Sequence, residues 1–407
     1  MKKSKFLLRF LGPGFLITIG FIDPGNWATN MSGGSDFRYD LLWVITLSTL
    51  MLILIQNMSA RLGIVTGKSL GTNIRETYSK HVSALFGITI VIACAATDVA
   101  ELLGGAIGFN LLFGFPLWLG ALLTVLLETF FIISQRYHSL EKIIIAFLGI
   151  IALAYLLELF IIKPDWTLVL PAMVTPKLNR ASIYIAMGIL GAVVMPHNIY
   201  LHSNVILSRK WGTTMEEKEK SLKYEKIDTT VAMGVGWAVN SAMIIVAATV
   251  FFTHGIHIES LQQASESLKP LAGKFAGFLF AIALLAAGIS SSTTSSMAEV
   301  NVITAFLGKP EDPSTMLYKV STFITAIPSF IIILLKVDTF KILIFSQVVL
   351  SVQLPFTLIP LLMLCRKKDL MGNLRSNNKE FFLAILTSAI VIALNIFLLY
   401  STLFHLG

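Results

Sequence analysis

The stretch Gly20-Phe21-Ile22-Asp23-Pro24-Gly25-Asn26-Trp27 decides the fold class. It interrupts a long apolar run with a proline, a glycine and a carboxylate. A second apolar run breaks in the same manner at Val193-Val194-Met195-Pro196-His197-Asn198. Irregular backbone at membrane depth is tolerated only beside protein or a polar cavity. Each break also carries cation-binding groups: a carboxylate and an amide in the first, a thioether and an imidazole in the second. Interrupted helices at corresponding points of two halves mark the midplane site of a transporter.

Composition supports that reading. The chain has 407 residues, 55% of them hydrophobic and 13% charged, with a mean hydropathy of +0.79. A water-soluble domain cannot bury so much apolar surface, and many runs approach the roughly 20 residues that cross a bilayer. Eleven spans are predicted, at 6–33, 40–62, 84–113, 117–134, 140–162, 182–208, 228–253, 274–307, 317–335, 340–364 and 380–404. The expected fold is an all-α polytopic membrane protein with discontinuous helices 1 and 6.

The formal net charge is +8, yet its distribution excludes a nucleic-acid site as the cause. With the N-terminus in the cytoplasm, 23 of the 31 Lys and Arg residues fall on the cytoplasmic side. The positive-inside rule then sets the orientation, a multi-pass protein of the cell membrane with its C-terminus outside. The basic start before the first apolar run resembles a signal peptide, but no small-residue cleavage pattern follows. It is read as a retained first helix. Cys94 and Cys365 have no framework or metal-type spacing and are expected to pack.

Eleven spans divide into five, five and one: residues 1–180, residues 181–364, and an additional C-terminal helix in 365–407. An odd number per half turns the second half over in the membrane, which gives an inverted repeat. Arg209 to Asp228, the most hydrophilic stretch, is expected to be the cytoplasmic connection between halves.

Asp23 is the first candidate, because a membrane-depth carboxylate is costly unless paired or protonated. Capping the following half-helix is its bland alternative. Asn26, three residues on, is expected to project near it. Met195 decides the class of ion, since hard cations take oxygen ligands and a thioether suits transition metals. His197 and His202 are five apart, about 140° around a helix, so they cannot face one ion together. Proton handling is the expectation for both. Asp98 and Glu101, at i and i+3, share a helix face and suit a proton relay. Gln347 and Gln353 could offer a carbonyl oxygen or bond a neighbouring helix. Glu128 and Glu299 have no companion motif, and His254 and His257 are expected in a solvated outer loop.

Together these motifs resemble the Nramp family of divalent-metal transporters. The resemblance rests on Asp23-Pro24-Gly25-Asn26 and Met195-Pro196-His197. It extends through Gln56-Asn57-Met58-Ser59-Ala60, Thr97-Asp98-Val99-Ala100-Glu101, Ser290-Ser291-Ser292 and Ser346-Gln347. It implies a LeuT-like inverted five-plus-five transporter that imports Mn²⁺ or Fe²⁺, and ions such as Cd²⁺, together with protons. The implied metal site is Asp23, Asn26 and Met195, the backbone carbonyls of Gly20 and Ala192, and Gln347. The implied proton route is Asp98 and Glu101, with His197 and His202 in support. Some relatives carry an acidic residue where this chain has Val91, and an arginine pair where only Lys319 stands. No cofactor, nucleic acid or obligate protein partner is implied; metal ions and protons are cargo and the bilayer is the solvent. An uncoupled metal channel and a same-fold sodium or amino-acid carrier are the alternatives. An enzyme is not expected, for no His-Glu-x-x-His or comparable cluster occurs.

Overall fold

The computed structural model describes residues 12–134, 137–209, 211–212, 214–312, 314–335 and 337–403. Helices α1 (Pro13–Gly20) and α2 (Pro24–Phe37) form the first broken span. They are followed by α3 (Leu42–Thr66), a short α4 (Leu70–Thr77), α5 (Lys80–Phe113), α6 (Leu117–Ser134), α7 (Tyr137–Ile162) and a short α8 (Trp166–Ala172). The second broken span is α9 (Arg180–Val193) and α10 (Pro196–Val205). Then come α11 (Met215–Val250), α12 (Leu261–Ala272), α13 (Lys274–Leu307), α14 (Met316–Leu334), α15 (Thr339–Arg366), α16 (Lys368–Met371) and α17 (Asn378–Leu403). Among the described residues 9 helices are long and apolar enough to cross a membrane, with Leu117–Ile133 shorter. With the broken Pro13–Phe37 segment these coincide with the eleven expected spans. Residues 6–11 of the first expected span lie outside the described residues.

Two boundaries differ from expectation. The seventh span begins at Met215 instead of 228, so most of the hydrophilic connection is helix. A reciprocal cap explains the early start: the Thr214 hydroxyl meets the Glu217 N–H, and the Glu217 carboxylate meets the Thr214 N–H. The second half of the first broken span, α2, also runs past the expected end at 33, to Phe37.

The broken spans occupy the centre. The second is almost wholly buried, whereas α14 and α17 turn most of their surface outward. Phe323, Ile327 and Phe382 are exposed there, as lipid-facing positions should be. Cys94 and Cys365 are buried free thiols within helices.

The most extensive helix pair is α5 with α13. Glycine makes that closeness possible. A Cβ on Gly288 would lie 2.6 Å from the Gly105 Cα, and one on Gly108 would lie 2.7 Å from the Leu285 Cα. Neither distance is one that real Cβ atoms adopt, so the two backbones meet without side chains between them. The crossing brings the Asp98–Glu101 face of α5 against the serine-rich centre of α13.

Candidate functional site

Proline determines the local chemistry at both breaks. In a continuous helix the carbonyl of residue i accepts from the N–H of residue i+4. Pro24 stands four residues after Gly20, and Pro196 stands four after Ala192. Neither proline has an N–H, so the Gly20 and Ala192 carbonyls lose that donor. The next carbonyls at the first break are met by side chains instead. Phe21 O accepts from Asn240 Nδ2 at 2.9 Å and also from the Asn26 amide, and Ile22 O accepts from Trp27 Nε1 at 3.1 Å.

Asp23 is wholly buried and caps α2. Its Oδ1 accepts from Asn26 N at 2.9 Å, its Oδ2 from Gly25 N at 3.2 Å. Gln347 on α15 donates to the same Oδ2 at 2.8 Å. Capping and a charged role at the break therefore coexist in one carboxylate. The Asn26 side chain turns away from Asp23, contrary to the expected projection. Its amide serves Phe21 O and its Oδ1 accepts from Asn30 at 3.1 Å, so only its backbone N–H meets Asp23.

At the second break Met195 is fully buried and its sulfur accepts from Asn198 Nδ2 at 3.4 Å. That Asn198 amide lies against Gly20, where a Cβ would lie 2.9 Å from its Cγ. Gly191 in turn lets α9 close on the backbone of α15 beside Gln347 and Ser351. One chain of contacts thus joins Gly20, Asn198 and Met195, and another joins Asp23, Gln347 and the end of α9. The six expected metal-site residues converge on the two breaks.

Neighbouring helices hold the half-helices in place. Asp228 on α11 accepts from Gly12 N at 3.0 Å and Gly14 N at 2.7 Å, which caps the start of α1. Trp27 on α2 packs edge-on against Tyr155 at 5.2 Å and Phe280 at 5.0 Å.

The four expected proton residues separate into two places. His197 Nδ1 lies 3.5 Å from the Thr97 hydroxyl, next to Asp98 in the chain. His202 faces elsewhere: its ring nitrogens meet Gln56 Oε1 at 2.9 Å and Glu225 Oε1 at 3.0 Å, all three residues buried. The Asp98 carboxylate accepts from Ser295 at 2.9 Å, and Glu101 accepts from Ser291. Gln353 bonds Thr89 and Thr357, away from the breaks. His257 is mostly exposed and pairs with Asp36 at 2.8 Å, in keeping with a solvated loop.

Sequence reasoning set Glu128 and Glu299 aside, yet the fold brings both to Asp98. The Glu299 carboxyl group faces that of Asp98, and Glu128 lines a narrow cavity with Asp98 and Glu101. Glu225 and Asp228 were also missed as partners of His202 and α1. Their signal was available: two acids in the apolar-facing register of a helix that a capping box begins.

Comparison with known proteins agrees on one family. The Nramp model, described as natural resistance-associated macrophage protein-like, matches residues 14–401. Two similar relatives are each named divalent metal cation transporter MntH. The Clostridium acetobutylicum protein is 42% identical over 404 residues, covering 98% of this chain and 93% of its own. The Bacillus subtilis protein is 41% identical over 400 residues, covering 97% and 93%. Among solved structures, an Eremococcus coleocola manganese transporter superposes with a TM-score of 0.86 at 29% identity, over 96% of this chain and 86% of that one. Mhp1, a nucleobase-cation-symport-1 family transporter, superposes at 0.63 with 14% identity, over 95% and 91%, which is a likeness of fold alone.

Proposed function

The chain belongs to the natural resistance-associated macrophage protein-like (Nramp) family, and from that premise we propose that it imports divalent transition-metal ions, Mn²⁺ above all, coupled to protons. It is a multi-pass membrane transporter of LeuT-like fold and not an enzyme. Fe²⁺ and Cd²⁺ belong to the same proposal, since both accept the mixed donor set at the breaks.

One observation carries the reading. A fully buried carboxylate sits at the first break, and contacts through Asn198 and Gln347 tie that break to the second, where a buried thioether precedes the other proline. A dication entering that place is met by the Asp23 charge, the Gly20 and Ala192 carbonyls and the Met195 sulfur, and by the amide oxygens of Asn26 and Gln347 once those side chains turn from their present partners. An oxygen-only set would suit Mg²⁺ and Ca²⁺, and the sulfur shifts preference to softer ions. A sodium or amino-acid carrier gains nothing from that sulfur.

Alternating access accounts for the burial. Asp23, Asn26 and Met195 are all closed to solvent in this conformation, as a carrier's site is between its two openings. Residues 1–180 and 181–364 form the two inverted repeats in this proposal, and the remainder adds a peripheral helix. The N-terminus lies in the cytoplasm and the C-terminus outside. Asp98 and Glu101 accept the accompanying proton, with His197 and His202 in support.

The test is Mn²⁺ flux into proteoliposomes with and without an inward proton gradient. Coupled import predicts faster uptake with the gradient and acidification of the lumen as metal enters. Uptake indifferent to the gradient leaves an uncoupled metal path. No uptake of any divalent metal removes the reading.

A further inference from the structure

Four carboxyl groups meet inside the protein at membrane depth: Asp98 and Glu101 on α5, Glu128 on α6 and Glu299 on α13. Each is buried, with exposure no greater than 4%. Among the described residues none of the four forms an ion pair with Lys or Arg. The groups that face them are hydroxyls and a thiol. Ser291 and Ser295 bond Glu101 and Asp98, Ser292 and Ser296 stand against Glu128, and Thr325 of α14 stands against Glu299. Cys94 lies one turn from Asp98, and α14 otherwise contributes Ala326 to the cavity wall.

Three oxygens in this cluster are buried without any hydrogen-bond partner: Asp98 Oδ2, Glu101 Oε1 and Glu299 Oε2. A carboxylate only accepts, so two facing carboxylates cannot satisfy one another. The cavity between Asp98, Glu101 and Glu128 leaves no room for a water molecule to supply donors. Protons held among the carboxyl groups are what remains, for like charges at such close quarters cannot all ionise.

The spacing along α13 gives these protons a direction. Ser291, Ser295 and Glu299 follow one another at four-residue intervals, one turn apart on one helix face. Opposite them on α5 stand Glu101 and then Asp98. The row begins near the first break and advances roughly 12 Å along α13.

We propose that Glu299 and Glu128 continue the proton route beyond Asp98, carrying the proton along α13 towards its Leu307 end. This rests on the proton-coupled reading above and adds to it the onward carriers. In each transfer an O–H bond on one carboxyl group breaks as one forms on the next. An intervening serine hydroxyl gives its proton as it receives another, and no electrons change hands.

The experiment uses the full-length protein in proteoliposomes, with Mn²⁺ uptake and lumenal acidification read in the same vesicles. Glu299→Gln keeps volume and removes the exchangeable carboxyl proton. It should lower proton entry per Mn²⁺ by about tenfold or more, with Mn²⁺ uptake at symmetrical pH held within about twofold. Glu128→Gln should do the same to a smaller degree, and it provides the same reading should Glu299→Gln fail to reach the membrane. Glu299→Asp should recover part of the proton entry, which repair of mere packing would not do. Unchanged acidification in both Gln variants, or loss of metal and proton fluxes in parallel, overturns the route while wild-type coupling stands. Absence of metal-driven acidification in the wild type overturns the coupling itself and this route with it.

Discussion

Gln347 Nε2 reaches Asp23 Oδ2 across 2.8 Å, tying the tenth span to the break in the first. The same amide keeps its Oε1 buried and without a partner. Turning the amide over exchanges a donor to the carboxylate for an oxygen facing the break. Gln347 can thus stabilise the Asp23 charge before an ion arrives and offer a carbonyl oxygen afterwards. Asn26 and Asn198 are amides of the same kind, each now bonded within its own break.

Asp23→Ala should abolish Mn²⁺ uptake while the protein still folds. The substitution removes the fixed charge at the breaks and one helix cap, and the cap alone is worth about 1 kcal/mol. Mn²⁺ uptake normalised to protein in the membrane checks it, and appreciable transport by the variant would remove Asp23 from the site.

Met195→Ala should alter selectivity more than total activity. Cd²⁺ should lose most and Mn²⁺ less, and the advantage over Ca²⁺ and Mg²⁺ should shrink, because a thioether offers little to hard ions. Competition of Cd²⁺ and Ca²⁺ against Mn²⁺ uptake reads the change. An unaltered Cd²⁺-to-Ca²⁺ preference would show that the sulfur is not a ligand.

Asp98→Asn and Glu101→Gln should each reduce metal-driven proton entry more than Mn²⁺ binding. Both carboxyl groups accept from serines on α13, bonds that an amide oxygen can also accept, so the fold should survive. Binding measured calorimetrically beside acidification separates the two effects. Equal losses would assign both residues to structure.

Glu311, in the connection after α13, offers a pH test outside the membrane. It accepts from the Ser69 and Thr72 hydroxyls at 2.8 Å each and from Asn204. Burial pushes its carboxyl group up from the ordinary value, against the pull of these donors. The folded state therefore binds this proton more tightly than the unfolded chain. Its contribution is complete below the ordinary glutamate range and is lost as pH rises through the raised value. Glu311→Gln should flatten that decline, and Glu311→Ala should cost about 1–3 kcal/mol by stranding buried donors. Thermal unfolding in detergent, followed upward in pH from below the ordinary glutamate value of about 4.3, measures both.

The broken spans were legible because proline inside an apolar run has few physical readings. Asp23 and Asp98 could be picked out because carboxylates at membrane depth are rare, and Met195 because it directly precedes the second proline. The Glu128–Glu299 convergence was not legible. Those acids sit on separate helices, and only the close approach of α5 to α13 gives them neighbours. The early start of α11 was hidden differently: a stretch of mixed charge reads as a loop, although Thr214-Met215-Glu216-Glu217 already spelled a helix start. Asn26 shows a third limit, for spacing predicts which residues share a turn but not which partner an amide will choose.

The glycine seam between α5 and α13 has a consequence for the carboxyl groups beside it. Backbones this close hold the Ser291–Glu101 and Ser295–Asp98 bonds between the two helices. The half-helices are gripped in the same way: a Cβ on Gly14 of α1 would lie 2.9 Å from the Thr229 Cα, and one on Gly63 of α3 would lie 2.6 Å from the Ser203 carbonyl oxygen of α10. A single methyl on Gly288 would push the Gly105 backbone away and loosen those two serine–carboxyl bonds without touching a residue of either break.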